Sequence, residues 1–520
     1  MTPDQALTKA RKLAKSGAAP EAIALYQQVL DRYPQNKKAR KELNALQKLA
    51  PATDKQGYMA QDLQSLVDLY STGKTDRALA QAKHLCKVYP NQPLPFNIIG
   101  VIQIQRGNYE SAVKNCSKAL GLEPSYGDAL NNLGSALHKL KRHDEARACY
   151  QRLLSIQGED PDAFFNLANV FRDTENFESA AACYQRSIQI RPLYSPAQIG
   201  LGRCLIKTAD FPGALKCFQK AIELDNQSIE AHCGIGELLL GQNRPQEALS
   251  WYGKAVELDA GNLASKYGMA RALTANGEIQ KAIPLMKEYL KSNPDNSEVK
   301  HLLDAAQNNT TKVAPRQYIE TAFNANAKGF EEHLTETLGY RAPAQLRELL
   351  TDADQSSVKP LSAADLGCGT GLVGDAFRDT CSSLIGLDLS AKMLEIAKEK
   401  EIYDELLLGD IVETLRDLDK NFDLFVSADT LIYIGDLQPL FDAVAQRSAN
   451  GTLFIFSTEI SDRPGYTLLH SGRYAHGDSY VKETLDRANF ELLRRETLPL
   501  RKERDEWLQG GFYLARYSGG

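Results

Sequence analysis

The chain has 520 residues and a net charge of −5, with 43% hydrophobic and 24% charged residues. This length predicts two to four folded domains. The slightly negative charge argues against a general nucleic-acid-binding protein. The sequence has no apolar run long enough to cross a membrane, and its first residues lack the apolar segment of a secretory signal. The nine cysteines show no metal-ligand spacing, so we expect a reduced, cytoplasmic protein without a metal site.

Residues 1–56 are predicted to be an N-terminal unit that resembles one repeat of the following region. Ala22 and Pro34 have the twelve-residue spacing of a helix that ends at a proline. Ala22 precedes the next alanine of this kind, Ala78, by a longer interval than the constant one that separates the later alanines. Residues 37–56 are therefore expected to form an irregular helix and a linker.

Residues 57–310 repeat at a constant interval. One alanine marks each repeat, at Ala78, Ala112, Ala146, Ala180, Ala214, Ala248 and Ala282. A small residue precedes six of them by twelve positions, at Gly100, Gly134, Ala168, Gly202, Gly236 and Ala270. A larger side chain follows by four positions, at Cys116, Tyr150, Tyr184, Phe218, Tyr252 and Met286. Small residues let two helices approach, and the larger residue fills the space between neighbouring pairs. The pattern predicts seven helix pairs and a closing helix, stacked into a right-handed superhelix.

These repeats resemble tetratricopeptide repeats (TPR), as in the stretch "NNLGSALHKLKRHDEARACYQRLLSI". The resemblance implies a concave groove that holds an extended peptide or a partner helix. Asparagines on the first helix of two repeats are candidate groove contacts, at Asn131, Asn132, Asn166 and Asn169. We therefore expect a protein or peptide partner and neither a nucleic-acid nor a membrane partner.

Residues 308–317 are predicted to be a linker, and residues 311–520 to be the last domain. From residue 361, short apolar runs alternate with helical patterns, and two closely spaced strands end the chain. This alternation predicts a doubly wound, mostly parallel α/β sheet with an antiparallel edge. Seven strands with that ending are typical of the Rossmann-like class I methyltransferase fold.

The stretch "AADLGCGTGLVGDAF" places Asp365 before three alternating glycines, Gly367, Gly369 and Gly371. A dinucleotide-binding turn has a different spacing, G-x-G-x-x-G, and holds a pyrophosphate at a helix N-terminus. S-adenosylmethionine (SAM) has no phosphate and carries a cationic sulfonium. Glycines allow a ligand to approach the backbone closely, and a nearby carboxylate suits a cationic ligand. The motif therefore favours SAM over a dinucleotide.

Two further carboxylates follow the next two predicted strands. Asp388 can accept hydrogen bonds from ribose hydroxyls, with Leu389 beside it, and Asp410 can accept one from the adenine amino group, with Ile411 against the ring. Ligands bind at this carboxyl edge in open α/β sheets. The region 318–518 thus resembles class I SAM-dependent methyltransferases. The expected reaction displaces the sulfonium methyl in line and leaves S-adenosylhomocysteine, without a metal.

The acceptor-facing residues are expected in three places. The end of the fourth strand holds Asp429, without the Asn/Asp-Pro-Pro-aromatic motif of enzymes that methylate bases or glutamine amides. The segments 318–343 and 465–485 are predicted to be loops or short helices at the cofactor mouth. From these we predict that His476 is the base and that Tyr474 and Arg473 orient the acceptor. Asp429 is predicted to line the site. The predicted substrate pocket consists of Tyr318, His333, Tyr340 and Tyr433.

The catalytic domain, and the repeats in a general way, resemble a bacterial family of TPR methyltransferases, which implies fold and cofactor but no acceptor. Three hypotheses stay open. The enzyme methylates a protein or peptide recruited by the repeat groove. Alternatively, it acts on a small metabolite or a carrier-bound intermediate, and the repeats serve homodimerisation or docking to another enzyme. In the third, the chain is an interaction scaffold in which SAM binding is structural.

Overall fold

The structure is a computed structural model that describes residues 2–49, 52–327, 329–353, 360–503 and 506–519. The chain divides into two compact units, Met1–Gly234 and Ile235–Gly520. The division falls within the repeats, whereas the sequence pattern changes near residue 310. None of the helices in the described ranges is long and apolar enough to cross a membrane.

The first unit consists of helices joined by short turns. Its helices are α1 (Pro3–Lys15), α2 (Ala19–Arg32), α3 (Lys37–Leu49), α4 (Ala52–Ser71), α5 (Thr75–Val88), α6 (Pro93–Gln105), α7 (Tyr109–Leu122), α8 (Gly127–Lys139), α9 (His143–Gln157), α10 (Pro161–Asp173), α11 (Phe177–Ile190), α12 (Ser195–Lys207) and α13 (Phe211–Leu224). In the segment 37–56, predicted to be an irregular helix and a linker, residues 37–49 form α3 and residues 52–56 begin α4, while residues 50 and 51 lie outside the described residues. Ala39 and Leu43 of α3 are buried against Tyr26 of α2, and this packing explains its helical order.

Glycines of the repeats lie directly beneath larger side chains, as the spacing predicted for Gly134 and Tyr150. A Cβ atom added to Gly134 would lie 2.7 Å from the Tyr150 ring, and one added to Gly200 would lie 2.4 Å from the Tyr184 ring. Tyr150 and Tyr184 are almost completely buried. Each tyrosine therefore occupies the space that a glycine leaves on a neighbouring helix.

The second unit begins with the last repeats. The division lies in α14 (Ile229–Gly241), and it is followed by α15 (Pro245–Leu258), α16 (Leu263–Ala275), α17 (Ile279–Ser292) and the closing helix α18 (Ser297–Ala306). Tyr252 lies between Gly236 and Gly268, whose added Cβ atoms would come within 2.7 and 2.1 Å of its ring. Within the described residues, α4 to α17 form the seven predicted helix pairs.

The rest of the second unit is an α/β domain. Before the sheet lie α19 (Arg316–Asn326), α20 (Phe330–Glu332), a π-helical turn (His333–Thr337) and α21 (Ala342–Ala353). The strands are β1 (Leu361–Leu366), β2 (Cys381–Asp388), β3 (Glu405–Leu408), β4 (Phe422–Ser427), β5 (Ser448–Ile460), β6 (Tyr466–Leu468), β7 (Tyr474–His476), β8 (Phe490–Glu503) and β9 (Glu506–Tyr517). The helices between them are α22 (Leu372–Phe377), α23 (Ala391–Glu399), α24 (Ile411–Asp417), α25 (Gln438–Gln446) and α26 (Asp478–Arg487), with 3-10 turns at Arg378–Thr380 and Leu431–Tyr433.

The sheet has the predicted doubly wound order. Strands β3, β2, β1, β4 and β5 are parallel neighbours, β9 pairs antiparallel with β5, and β8 pairs antiparallel with β9. Leu366 and Phe425 pack into the core on one face, and Ala363 and Leu424 into the core on the other. The prediction of a parallel sheet with an antiparallel ending is confirmed.

A short hairpin adds two strands beyond the predicted seven. Strand β7 pairs with the end of β5 through Glu459 and Ile460, and β6 pairs antiparallel with β7. The segment 465–485, predicted to hold loops or short helices, therefore consists of this hairpin and most of α26. A three-residue strand is too short for its alternation to show in the sequence.

The predicted linker 308–317 is hydrogen bonded to the loop that follows β4. The carbonyl of Lys312 accepts hydrogen bonds from Gly435 N (2.9 Å) and Asp436 N (2.8 Å), and the amide of Ala314 donates to Tyr433 O (3.0 Å). The last repeats and the α/β domain therefore belong to one compact unit.

Candidate cofactor and acceptor site

The glycine-rich turn after β1 takes a backbone form that side chains disfavour. Gly367, Gly369 and Gly371 all have positive φ, at 80°, 53° and 101°. A Cβ atom on Gly367 would lie 2.3 Å from the Thr430 hydroxyl oxygen, whereas one on Gly369 would have no neighbour within 4 Å. The turn is therefore packed against the loop after β4 at Gly367 and open at Gly369.

Asp388 lies at the end of β2 and faces this turn. Its Oδ2 accepts a hydrogen bond from Gly369 N (2.9 Å), and its Oδ1 accepts one from Ser390 N (2.8 Å). Burial raises the pKa of this carboxyl, while the amide donors oppose that effect. Ser390 also donates from its hydroxyl to Asn324 Oδ1 (2.7 Å), which joins α19 to this edge of the sheet.

Asp365 lies below the turn and is completely buried. Its Oδ2 accepts a hydrogen bond from the Tyr403 hydroxyl (2.7 Å), and its Oδ1 accepts none from the described residues. Burial, helped by the charge of Asp388, raises the pKa of Asp365 to about 7. Sequence reasoning missed Tyr403, because it lies in a loop before β3 without any motif.

Asp410 caps the next helix of this edge. Its Oδ1 accepts hydrogen bonds from Val412 N (2.9 Å) and Glu413 N (3.1 Å) at the start of α24. Ile411 is partly buried and packs against the core on one face of the sheet. Contact of either residue with an adenine ring stays a prediction.

A cluster of buried charges lies beyond the ends of β4 and β5. Arg501 of β8 forms ion pairs with Asp429 and Glu459, and Arg473 Nε donates to Glu459 Oε1 (2.7 Å). Arg473 also pairs with the more exposed Glu503 (3.0 Å). The side chains of Arg501 and Glu459 are only 7% and 2% exposed. We call Asp429, Glu459, Arg473 and Arg501 the charge cluster.

Asp429 is held at a backbone conformation that is uncommon for a residue with a side chain. Its φ is 56°, and its amide donates to the Ser457 hydroxyl (2.9 Å). Strained residues of this kind concentrate at functional sites. Because Thr430, the next residue, contacts Gly367, the charge cluster adjoins the glycine-rich turn.

The structure brings most predicted pocket tyrosines to the charge cluster. Tyr340 is buried, and the pKa of its hydroxyl is raised by burial and by the charge of Asp429. Burial and the same carboxylate raise the pKa of Tyr433. Burial raises the pKa of the Tyr318 hydroxyl, and the positive charge of Arg473 opposes that rise. His333 is exposed on the π-helical turn.

His476 and Tyr474 do not reach the charge cluster, contrary to the sequence prediction. His476 is completely buried, its Nε2 donates to Ile434 O (2.8 Å), and burial lowers its pKa to about 4. The Tyr474 hydroxyl shares a hydrogen bond with Thr311 Oγ1 (2.5 Å). Residues two apart in a strand share one face, and this face of β7 packs against Tyr466. The contacts are structural, so we assign no proton transfer to His476.

Family models match the chain in two regions. Models described as tetratricopeptide repeat match residues 96–126, 125–192, 165–229, 199–263 and 239–306. A model described as methyltransferase domain matches residues 364–456. The chain therefore contains tetratricopeptide repeats and a methyltransferase domain, as the sequence predicted.

Curated relatives match short parts of the chain. The malonyl-(acyl-carrier protein) O-methyltransferase of Hamiltonella defensa is 32% identical over 142 residues, which are 27% of this chain and 51% of that protein. The 18S rRNA (guanine-N(7))-methyltransferase of Bos taurus is 32% identical over 89 residues, 17% of this chain and 32% of that protein. The chain thus spans about half the length of these relatives or less. Their names specify different acceptors and so define none for this chain.

A solved tetratricopeptide repeat protein from Parabacteroides merdae is similar to the repeats. It is 17% identical, and the match covers 48% of this chain and 99% of that one with a TM-score of 0.41.

Proposed function

We propose that the chain is a SAM-dependent methyltransferase that methylates a protein or peptide recruited by its repeats. The proposal depends mainly on the position of Asp388. Its carboxylate accepts a hydrogen bond from the amide of Gly369, at the open part of the glycine-rich turn. A carboxylate at the end of each of β1, β2 and β3 repels a pyrophosphate and attracts a cationic ligand.

The residues of this edge fit SAM. Asp388 would hold the ribose hydroxyls, while Asp410 and Ile411 would face the adenine. Asp365 Oδ1 lacks a donor among the described residues, which suits the ammonium group of the amino acid portion of SAM. The open space at Gly369 leaves room for a ligand against the backbone. When bound, SAM supplies a methyl group on a positively charged sulfur and leaves as S-adenosylhomocysteine.

The charge cluster and its tyrosines form the proposed acceptor pocket, made of Asp429, Glu459, Arg473, Arg501, Tyr340 and Tyr433. Asp429 Oδ1 and Glu459 Oε2 accept no hydrogen bond within the described part of the chain. Both oxygens can accept one from an N–H or O–H group of the acceptor. The two arginines hold these carboxylates in place, since each of them contacts Glu459. Binding and orientation are thus supplied by groups that are ion paired before an acceptor arrives.

The repeats favour a macromolecular acceptor. Stacked helix pairs provide extended surfaces for binding peptides or partner helices. Attachment to the catalytic domain would raise the local concentration of such an acceptor. A carrier-bound intermediate is the second candidate, favoured by the carrier-protein acceptor in the name of the Hamiltonella defensa relative.

The test uses methyl-labelled SAM and an extract from cells that lack this chain. Full-length wild type is compared with Asp388→Ala, which removes the carboxylate that Gly369 contacts. The matched control is Asp404→Ala, because Asp404 also accepts a backbone amide, that of Leu384 (2.7 Å), but lies before β3. We expect SAM binding to weaken on the order of 100-fold in Asp388→Ala, since charge-assisted hydrogen bonds are lost, and to persist in Asp404→Ala.

The distribution of the label decides between the hypotheses. A labelled protein band, absent with Asp388→Ala and present with Asp404→Ala, supports a macromolecular acceptor. Fragmentation of that band by mass spectrometry shows whether the methyl group sits on a side chain or on a group attached to a carrier. Label confined to small molecules refutes recruitment by the repeats. SAM binding by calorimetry without any transfer supports the scaffold hypothesis, and absence of SAM binding refutes the proposed function.

A further inference from the structure

The closing helix α18 is hydrogen bonded to the turn of the β6–β7 hairpin. The Nε2 atom of His301 donates to Gly472 O (2.8 Å), and Nδ1 of His470 donates to Ala305 O at the end of α18 (2.8 Å). His301 is only 2% exposed. Two histidines, one from each side, therefore join the last repeat helix to this turn.

The turn itself is tight and closely packed. Gly472 N donates to Leu469 O (2.9 Å), and Leu469 N donates to Arg473 O (2.8 Å). Gly472 has a φ of 83°, and a Cβ atom there would lie 2.8 Å from the Tyr318 hydroxyl. The Tyr318 ring in turn lies 5.0 Å from the His301 ring. The carbonyl that His301 contacts thus has little freedom to move.

Arg473 follows Gly472 directly and is the point where this turn enters the charge cluster. Residues of α18 and of the linker hold both of its neighbours, since His301 contacts Gly472 and Thr311 contacts the Tyr474 hydroxyl. Pairing of β7 with β5 begins only at Ala475, two residues later. The backbone of Arg473 is therefore held by the hydrogen bond from Leu469 N within the turn and not by pairing with β5.

We propose that His301 is a positioning residue that holds the Arg473 guanidinium against Glu459. The closing helix of the repeats is then a structural part of the acceptor pocket, although no residue of α18 belongs to the charge cluster. This inference rests on the acceptor pocket of the proposed function. It implies that a ligand that displaces α18 changes the acceptor pocket through Arg473.

The test follows the Nε–H group of Arg473 in the full-length protein. Nuclear magnetic resonance of the chain labelled with [15N]arginine shows this group, and its signal is assigned by its loss in Arg473→Lys. The variant His301→Leu keeps the bulk of the side chain and removes the donor. His301→Gln restores an N–H donor. The matched control is His232→Leu, because His232 is a buried repeat histidine whose ring also contacts a carbonyl, Ser228 O (2.8 Å).

The expected result is a graded change in hydrogen exchange at Arg473. Exchange should become about tenfold faster in His301→Leu, the effect of losing one hydrogen bond, and stay within about threefold of wild type in His301→Gln and His232→Leu. Unchanged exchange in His301→Leu overturns the proposal, as does an equal increase in His301→Gln. If His301→Leu does not fold, Thr311→Val, which frees the Tyr474 hydroxyl, decides the question by the same criterion.

Calorimetric titration with SAM separates this proposal from the proposed function. We expect His301→Leu to bind SAM as wild type does, because the helix and the turn do not contact Asp388 or the glycine-rich turn. Wild type that fails to bind SAM refutes the proposed function, while the exchange rates still report whether His301 positions Arg473.

Discussion

Replacing Asp365 with asparagine measures by how much its buried carboxyl, below the glycine-rich turn, lowers the free energy of unfolding. The side chain is completely buried, and burial raises its pKa from the usual 3.8 to about 7. A rise of this size corresponds to about 4 kcal/mol of difference between the two protonation states. Asparagine keeps an oxygen for the Tyr403 hydroxyl and has no charge to bury.

The pH dependence follows from the direction of that change. In the unfolded chain the carboxyl loses its proton near pH 3.8, and in the folded chain only near about pH 7. The folded state therefore binds more protons between these values, so the stability of wild type falls as the pH rises and stays low above about pH 7. The cost of the carboxylate is about 2 kcal/mol at about pH 5 and about 4 kcal/mol at about pH 8. Asp365→Asn should thus gain about 2 kcal/mol relative to wild type between these two conditions.

Tryptophan fluorescence provides the assay. The chain has two tryptophans, so Trp251→Phe leaves Trp507, in β9, as the reporter of the methyltransferase domain. Urea unfolding of this background with and without Asp365→Asn is compared at about pH 5 and about pH 8. The same asparagine variant should bind SAM more weakly, because the carboxylate is lost. A stability difference that is equal at both pH values refutes the argument that Asp365 is a buried carboxyl with a raised pKa.

Two further substitutions test packing, one in each unit. Arg501→Met should lower the free energy of unfolding by about 3–5 kcal/mol, because Asp429 loses its ion pair and Glu459 keeps only the one with Arg473. Adding Glu459→Gln should recover part of this loss, and an unchanged urea midpoint for the single variant contradicts the reasoning. Gly134→Ala should destabilise the repeats by about 1–3 kcal/mol in thermal melts followed by circular dichroism, because the added Cβ would lie 2.7 Å from the Tyr150 ring. Its control, Gly121→Ala, meets no atom within 4 Å and should stabilise its helix by about 0.5–1 kcal/mol, so a change of the same sign in both variants counts against the packing argument.

The repeats and the cofactor edge could be predicted because their signals are local and periodic. Helix pairs that stack on one another need the same small and large residues at each repeat, so Gly134 and Tyr150 recur with their counterparts at one constant interval. The glycine-rich turn needs positive φ at three positions, and only glycine adopts it readily. Asp388 could be placed because parallel strands end at the same edge of the sheet.

The proposed acceptor pocket could not be predicted in full, because it depends on contacts between residues that no sequence motif connects. Arg501 and Glu459 lie far apart in the sequence on different strands, and no motif joins them. The sequence predicted that His476 is a base, but it does not show on which face of β7 the His476 ring lies. The face of so short a strand is set by the partners it packs against, here Tyr466 and the carbonyl of Ile434.

The sequence by itself thus determined the helix-pair repeats, the parallel sheet and the acidic, glycine-rich edge, since each follows from spacing along the chain. Only the tertiary structure decided that α18 joins the methyltransferase domain and that two arginines meet two carboxylates beside the glycine-rich turn. Those contacts depend on how separate elements pack. Packing of this kind is fixed by shape and charge between residues distant in the sequence, so no local pattern records it.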